Sequence, residues 1–143
     1  GVRASPPWRR LSHAYRLAIP GLEGGSPDHL RGKPEKFRGL YQVFERIIAA
    51  CGPYGMTVTK TAISFKGSVR GFACATPRST SLAGFLDLMK EVHEPPFTRV
   101  APYTSRLWVH RFVVETVEQF NDEFAARVRE AYLSAKEIIA HEA

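Results

Sequence analysis

The sequence predicts an α+β domain: an antiparallel sheet of about five strands with two long helices packed on one face, in the order α-β-β-β-β-β-α, preceded by an irregular arm. Three observations carry this. Residues 34 to 51 repeat apolar side chains at helical spacing, residues 56 to 88 switch to a period of two broken by tight turns, and the stretch after Thr116 returns to the helical period. Tight turns leave no room for crossover connections, so neighbouring strands must run antiparallel.

The arm, residues 1–33, holds Pro6, Pro7, Pro20, Gly21, Gly24, Gly25, Pro27 and Gly32, with Trp8, Leu11, Tyr15, Leu17 and Ile19 as apolar anchors. Ser26-Pro27-Asp28 joins a capping hydroxyl, a proline suited to the first helical position and an acid for the first turn, which predicts a short helix near 27–31. Residues 34–143 then form the single α+β domain. In its first helix, about Pro34 to Cys51, the residues Phe37, Leu40, Tyr41, Phe44, Ile47 and Ile48 share one stripe, and Gly52-Pro53 ends it. Thr57, Val58, Thr59, Ile63 and Phe65 are strand formers. Gly67-Ser68 turns the chain into a segment from Gly71 to Thr76, and Pro77 to Thr80 turns it again into Leu82–Leu88. A loop is expected from Glu94 to about Ser105, followed by a strand from Leu107 to Val114. Thr116-Val-Glu-Gln119 reads as a capping box opening the last helix, whose stripe is Phe120, Phe124, Val128, Ala131, Tyr132, Ala135 and Ile139.

Side chains alternate across a strand, so placing Phe65 against the helices takes Thr61 and Ile63 with it. On the last strand Trp108, His110, Phe112 and Val114 share the helix side. The opposite face is then expected to carry Lys60, Ala62, Ser64, Lys66, Ala73, Ala75, Phe85, Leu107, Val109, Arg111 and Val113. That face is too apolar for open water. It calls for a cover: first the N-terminal arm, second another subunit in a homodimer, third a ligand.

Net charge is +6, unevenly distributed. Residues 1–39 hold eight Lys/Arg against three Asp/Glu, residues 40–114 nine against four, and residues 115–143 three against seven. A basic body suits an anionic partner such as nucleic acid, although the basic arm could equally neutralise the acidic last helix. No apolar run approaches the roughly 18 residues of a membrane span, so no membrane partner is expected. The two cysteines, Cys51 and Cys74, sit in apolar stretches and read as buried free thiols. The expected location is the cytoplasm.

No catalytic signature emerges, and the reading leans away from an enzyme. His13, His29, His93, His110 and His141 lack metal-ligand spacing, and neither cysteine has a partner, so neither metal nor cofactor is implied. A nucleophile elbow and a Gly-rich phosphate loop are both missing. His110, in mid-strand among apolar neighbours, is either a core histidine satisfied by a hydroxyl such as that of Tyr132 or Tyr41, or the centre of a pocket with Tyr132, Arg78, Tyr103 and Arg106. The second candidate site is an anion-binding surface of Lys60, Lys66, Arg111 and Arg99, where guanidinium groups pair with phosphate and nearby rings stack on bases. A binding module with a nucleic-acid partner ranks first. A small-molecule pocket or small enzyme at His110, and a homodimeric accessory domain, are the alternatives.

Several stretches taken together carry a resemblance. They are Asp28-His29-Leu30-x-Gly32-Lys33-Pro34, Cys51-Gly52-Pro53, Lys60-Thr61-x-Ile63-x-Phe65, Phe72-Ala73-x-x-x-Pro77-Arg78, Val109-His110-x-Phe112, Asp122-Glu123-Phe124 and Glu130-Ala131-Tyr132. In order and spacing this pattern resembles the bacterial domain of unknown function 5655, over about residues 28 to 135. The resemblance implies an α+β fold, distantly similar to the MmcQ/YjbR type for which DNA binding has been suggested, and assigns no catalytic residue. Many relatives begin with a zinc ribbon bearing two cysteine pairs. The arm here, around Trp8-Arg9-Arg10-Leu11-Ser12-His13, has no cysteine, so that role does not transfer.

Overall fold

The computed structural model describes residues 30–135. Expectations for the arm up to residue 29, and for the last helix beyond Ala135, lie outside the described residues. Helix α1 spans Glu35–Ala49 and ends on Ala50, whose amide donates to the Arg46 carbonyl while the Cys51 amide donates to that of Ile48. Gly52 follows with φ +145°, a conformation that only glycine adopts without strain. A β-carbon there would also collide with the Tyr132 hydroxyl, so the Gly-Pro stop serves packing as well as chain reversal.

Six strands follow: β1 Gly55–Val58, β2 Ile63–Lys66, β3 Gly71–Pro77, β4 Leu82–Leu88, β5 Phe97–Pro102 and β6 Trp108–Val114. They form one antiparallel sheet in the order β1-β2-β3-β4-β6-β5. The α+β class and the helix-sheet-helix order agree with the sequence, with one strand more than expected. The extra strand is β5, inside the stretch read as a loop. It escapes a period-two reading because a bulge breaks its alternation: Phe97 opposes Phe112, Val100 opposes His110, and Thr98 is the inserted residue. Pro96 and Pro102 at its ends, the bulge and Arg99 are all devices that suit an edge strand, and β5 is one.

The last helix, α2, spans Asp122–Ser134 and not the stretch from Thr116. Thr116 and Gln119 do form the capping box, but it closes a single 3-10 turn, Val117–Gln119. Phe120 is fully buried with a non-helical backbone, and Asn121 caps α2 by accepting from the Phe124 amide at 2.9 Å. Burial of one ring thus overrides helix continuity, and the acids Asp122 and Glu123 fall in the first turn, where the helix dipole favours them.

Both helices cover the same face of the sheet. Phe44 of α1 touches the rings of Phe65, Phe112, Phe120 and Phe124, so one side chain ties together α1, β2, β6 and α2. Several face assignments need correction. Ala75 opposes Ile63 and Ala73 opposes Phe65, which puts both alanines on the helix side. The cause is a second bulge: Lys66 pairs with Gly71, leaving Phe72 as the extra residue, and both Phe72 and Ala73 enter the helix-side core. Lys60, Thr61 and Ala62 lie on neither face but in the turn between β1 and β2, and Thr61 is exposed there instead of facing the helices.

Candidate functional site

On the side of the sheet away from α1 and α2 one cross-strand row runs through all six strands: Thr57, Ser64, Cys74, Phe85, Arg111 and Arg99. Alternation puts these side chains opposite the core residues Ile63, Phe65, Leu86, His110 and Phe112. The row grades from hydroxyls through a thiol and a half-buried ring to two exposed guanidinium groups. Arg99 and Arg111 are direct partners across β5 and β6. Lys66, exposed at the end of β2, adds a cation on the same side.

Not all of this side is open. Cys74, Ala83 and Leu107 are buried but stand outside the helix-side core, as is Asp87, only 6% exposed. Asp87 faces Val109 across β4 and β6. Its Oδ1 is buried without a hydrogen-bond partner, and Arg70 is the charge that acts on it. Burial pushes its pKa up to about 6, against the opposing pull of the nearby Arg70. Burial also raises the Cys74 thiol, against hydrogen bonds from Ser64 and Thr76 and the field of Arg111. An inert thiol results.

His110 has a different character. It is 0% exposed, Nε2 accepts from the Val92 amide at 2.9 Å, and Nδ1 lies 3.0 Å from the Trp108 carbonyl, which fixes the proton on Nδ1. Burial holds its pKa below the usual histidine value. The geometry is that of a core histidine satisfied by backbone groups, not by the hydroxyls expected of Tyr132 or Tyr41. Tyr132 instead donates to the Pro53 carbonyl at 2.7 Å and packs edge-on against Phe72. A cleft of about 550 Å³ is lined by His93, Glu94, Pro95, Pro96, Phe97, Thr98, Arg99 and Val100, and another of about 540 Å³ lies between the start of α1 and the 3-10 turn; neither is lined by His110 or Tyr132.

The remaining pocket candidates do not converge. Arg78 is exposed in the β3–β4 turn, next to Leu82, which pairs with the end of β6 at Val114. Tyr103, 63% exposed, and Arg106 sit in the β5–β6 turn, beside the start of β6 at Trp108. These turns are at opposite ends of the sheet. Lys60 is exposed in a turn built by Thr59, whose hydroxyl accepts from the Thr61 and Ala62 amides, and its carbonyl accepts from the Lys33 ammonium at 3.1 Å. Of the four proposed anion ligands, Lys66, Arg99 and Arg111 therefore share a face, and Lys60 does not.

Two polar clusters were not legible in the sequence. Glu45, 2% exposed, accepts from the Tyr54 hydroxyl at 2.8 Å, and burial raises its pKa. Arg127 of α2 donates to Glu94 through Nε at 3.2 Å and Nη2 at 2.8 Å, and to Glu130 through Nη1 at 2.6 Å, tethering the β4–β5 loop to α2. Arg127 and Glu94 are 33 residues apart, and Glu45 and Tyr54 meet only because the chain reverses after α1. Among the described residues, no group of three or more His, Cys, Asp or Glu is placed to hold a metal ion, and no helix is long and apolar enough to cross a membrane.

A sequence profile described as "Domain of unknown function (DUF5655)" matches residues 26–135, well over half of the chain. No curated protein and no solved structure matches it.

Proposed function

The chain belongs to the DUF5655 family, whose function is unknown, and we propose that the face of its sheet away from α1 and α2 binds single-stranded nucleic acid. The observation that carries this reading is the direct opposition of Arg99 and Arg111 across β5 and β6, with Phe85 next in the row. Like charges directly opposite in a sheet are destabilising, whereas a phosphate backbone lying across both offsets that cost. A half-buried aromatic ring beside two guanidinium groups offers stacking and phosphate pairing together, which is how sheet platforms hold unpaired bases. The net charge of +6 attracts the same partner at long range.

Fluorescence anisotropy with a labelled oligothymidylate tests the reading. The full chain should bind at about 50 mM salt and lose affinity steeply as salt rises. Replacing Arg99 and Arg111 with alanine together should weaken binding by about tenfold or more and flatten the log-log salt slope by roughly 1.4, about 0.7 per phosphate contact on a single strand. Arg78→Ala, at one end of the sheet, should change affinity much less. Failure of the wild type to bind at low salt would end the proposal.

A further inference from the structure

Asp87 is an acid buried in the middle of a basic face, and the nucleic-acid reading leaves it without a role. Aspartate is rarely buried unless paired, and one Asp87 oxygen has no hydrogen-bond partner at all. It lies on β4 with uncharged Phe85 as its same-side strand neighbour and Val109 directly opposite on β6. Among the described residues, the charged or titratable groups around it are Arg70 from the β2–β3 turn, Cys74 on β3 and Arg111 on β6. Arg70 acts on Asp87 directly, while the Cys74 thiol feels both Asp87 and Arg111, which marks all of them as one electrostatic cluster.

We propose that Asp87 is a proton-operated counter-charge for this face, so that uptake of a proton at Asp87 is coupled to binding of a polyanion. The inference rests on the single-strand reading above. With Asp87 ionised, one negative charge sits among Arg70, Arg111 and the approaching phosphates and repels the strand. With Asp87 neutral, that repulsion disappears. Linkage makes the effect reciprocal: a bound polyanion must favour the neutral carboxyl by the same factor that the neutral carboxyl favours the polyanion. Burial places this titration close to neutral pH, where an exposed aspartate would already be fully ionised.

The test compares oligothymidylate binding by the full-length wild type and by Asp87→Asn at pH 5.5 and 7.5 and equal ionic strength. Neither thymine nor phosphodiester titrates in that interval, and histidine contributions are common to both proteins. The wild type should tighten on acidification by about three- to tenfold more than the variant does, as expected for removing one charge at short range in a partly aqueous setting. At pH 7.5 the variant should bind more tightly than the wild type. Equal pH responses in the two proteins overturn this inference and leave the single-strand reading standing; absence of binding at both pH values overturns both. Carbon-13 titration of the Asp87 carboxyl in the wild type gives a second measurement that needs no variant. Its pKa should rise when oligothymidylate is added, and an unchanged value refutes the coupling.

Discussion

Replacing His110 with leucine separates a structural histidine from a functional one. Leucine keeps the bulk but removes both hydrogen bonds. The Val92 amide loses its acceptor, Nε2 at 2.9 Å, and Val92 is itself buried, so an unsatisfied donor costs about 1–3 kcal/mol. The Trp108 carbonyl loses its bond from Nδ1, worth about 0.5–1.5 kcal/mol. Better burial of an aliphatic side chain returns part of this, leaving a net loss of about 2–3 kcal/mol, or roughly 6–10 °C in Tm for a chain of this size. The pH response adds a second signature. Because burial lowers the His110 pKa in the folded state, the unfolded chain takes up a proton near pH 6.5 while the folded one does not. Wild-type stability from this group is therefore complete above pH 6.5 and falls as the pH drops below it. His110→Leu lacks that titration, so the gap between the two proteins should be widest at pH 7.5 and narrower at pH 5. Urea unfolding followed by far-UV circular dichroism at both pH values measures it. A gap below about 0.5 kcal/mol at pH 7.5, or one that widens on acidification, refutes the assignment of His110 as a neutral, backbone-satisfied core residue.

Other perturbations probe other parts of the fold. Asp87→Asn should stabilise the protein by about 1–3 kcal/mol at pH 7.5 and by little at pH 3.5, measured by urea unfolding. The folded pKa of about 6 lies above the ordinary 3.8, so this group's contribution is intact below pH 3.8 and is lost as the pH rises through 6. Gly84→Ala should cost about 3 kcal/mol or more by the same assay, because the new methyl meets the Cys74 carbonyl and lies 2.9 Å from the Phe112 ring, and a backbone oxygen inside a sheet cannot move away. Tyr132→Phe removes one hydrogen bond, to the Pro53 carbonyl, and should lower stability by about 1 kcal/mol with no change in oligonucleotide affinity. Arg127→Ala should leave the melting temperature nearly unchanged while speeding amide exchange in residues 91–97, the loop that its bonds to Glu94 tether.

Much of the fold was legible because its signals are local. The period of α1, the Gly-Pro stop after it and the strand from Leu82 to Leu88 each arise from neighbouring residues, and the structure reproduces them within a residue or two. The errors cluster where a distant partner intervenes. Two bulges, at Phe72 and Thr98, shift the side-chain phase by one residue, which turned Ala73 and Ala75 inward and disguised β5 as a loop. Burial of Phe120 split the expected last helix into a capped 3-10 turn and a shorter α2. His110 stands out in the sequence as a mid-strand histidine among apolar neighbours, yet its partners are backbone groups of Val92 and Trp108, and no side-chain pattern encodes the first of these.

By itself, the amino-acid sequence determined the class of fold, the buried stripe of each helix and the basic character of the body. All of these follow from periodicity and composition, which act over a few neighbours. Tertiary structure alone decided which cations share a surface. Arg99 and Arg111 come together because β5 pairs with β6, and Lys66 shares their face three strands away on β2, while Lys60, Arg78, Tyr103 and Arg106 are dispersed into turns at the two ends of the sheet. It also buried Asp87 among them. Strand order and register arise from packing between segments far apart in the chain, and a charge acquires its chemistry only when those segments meet.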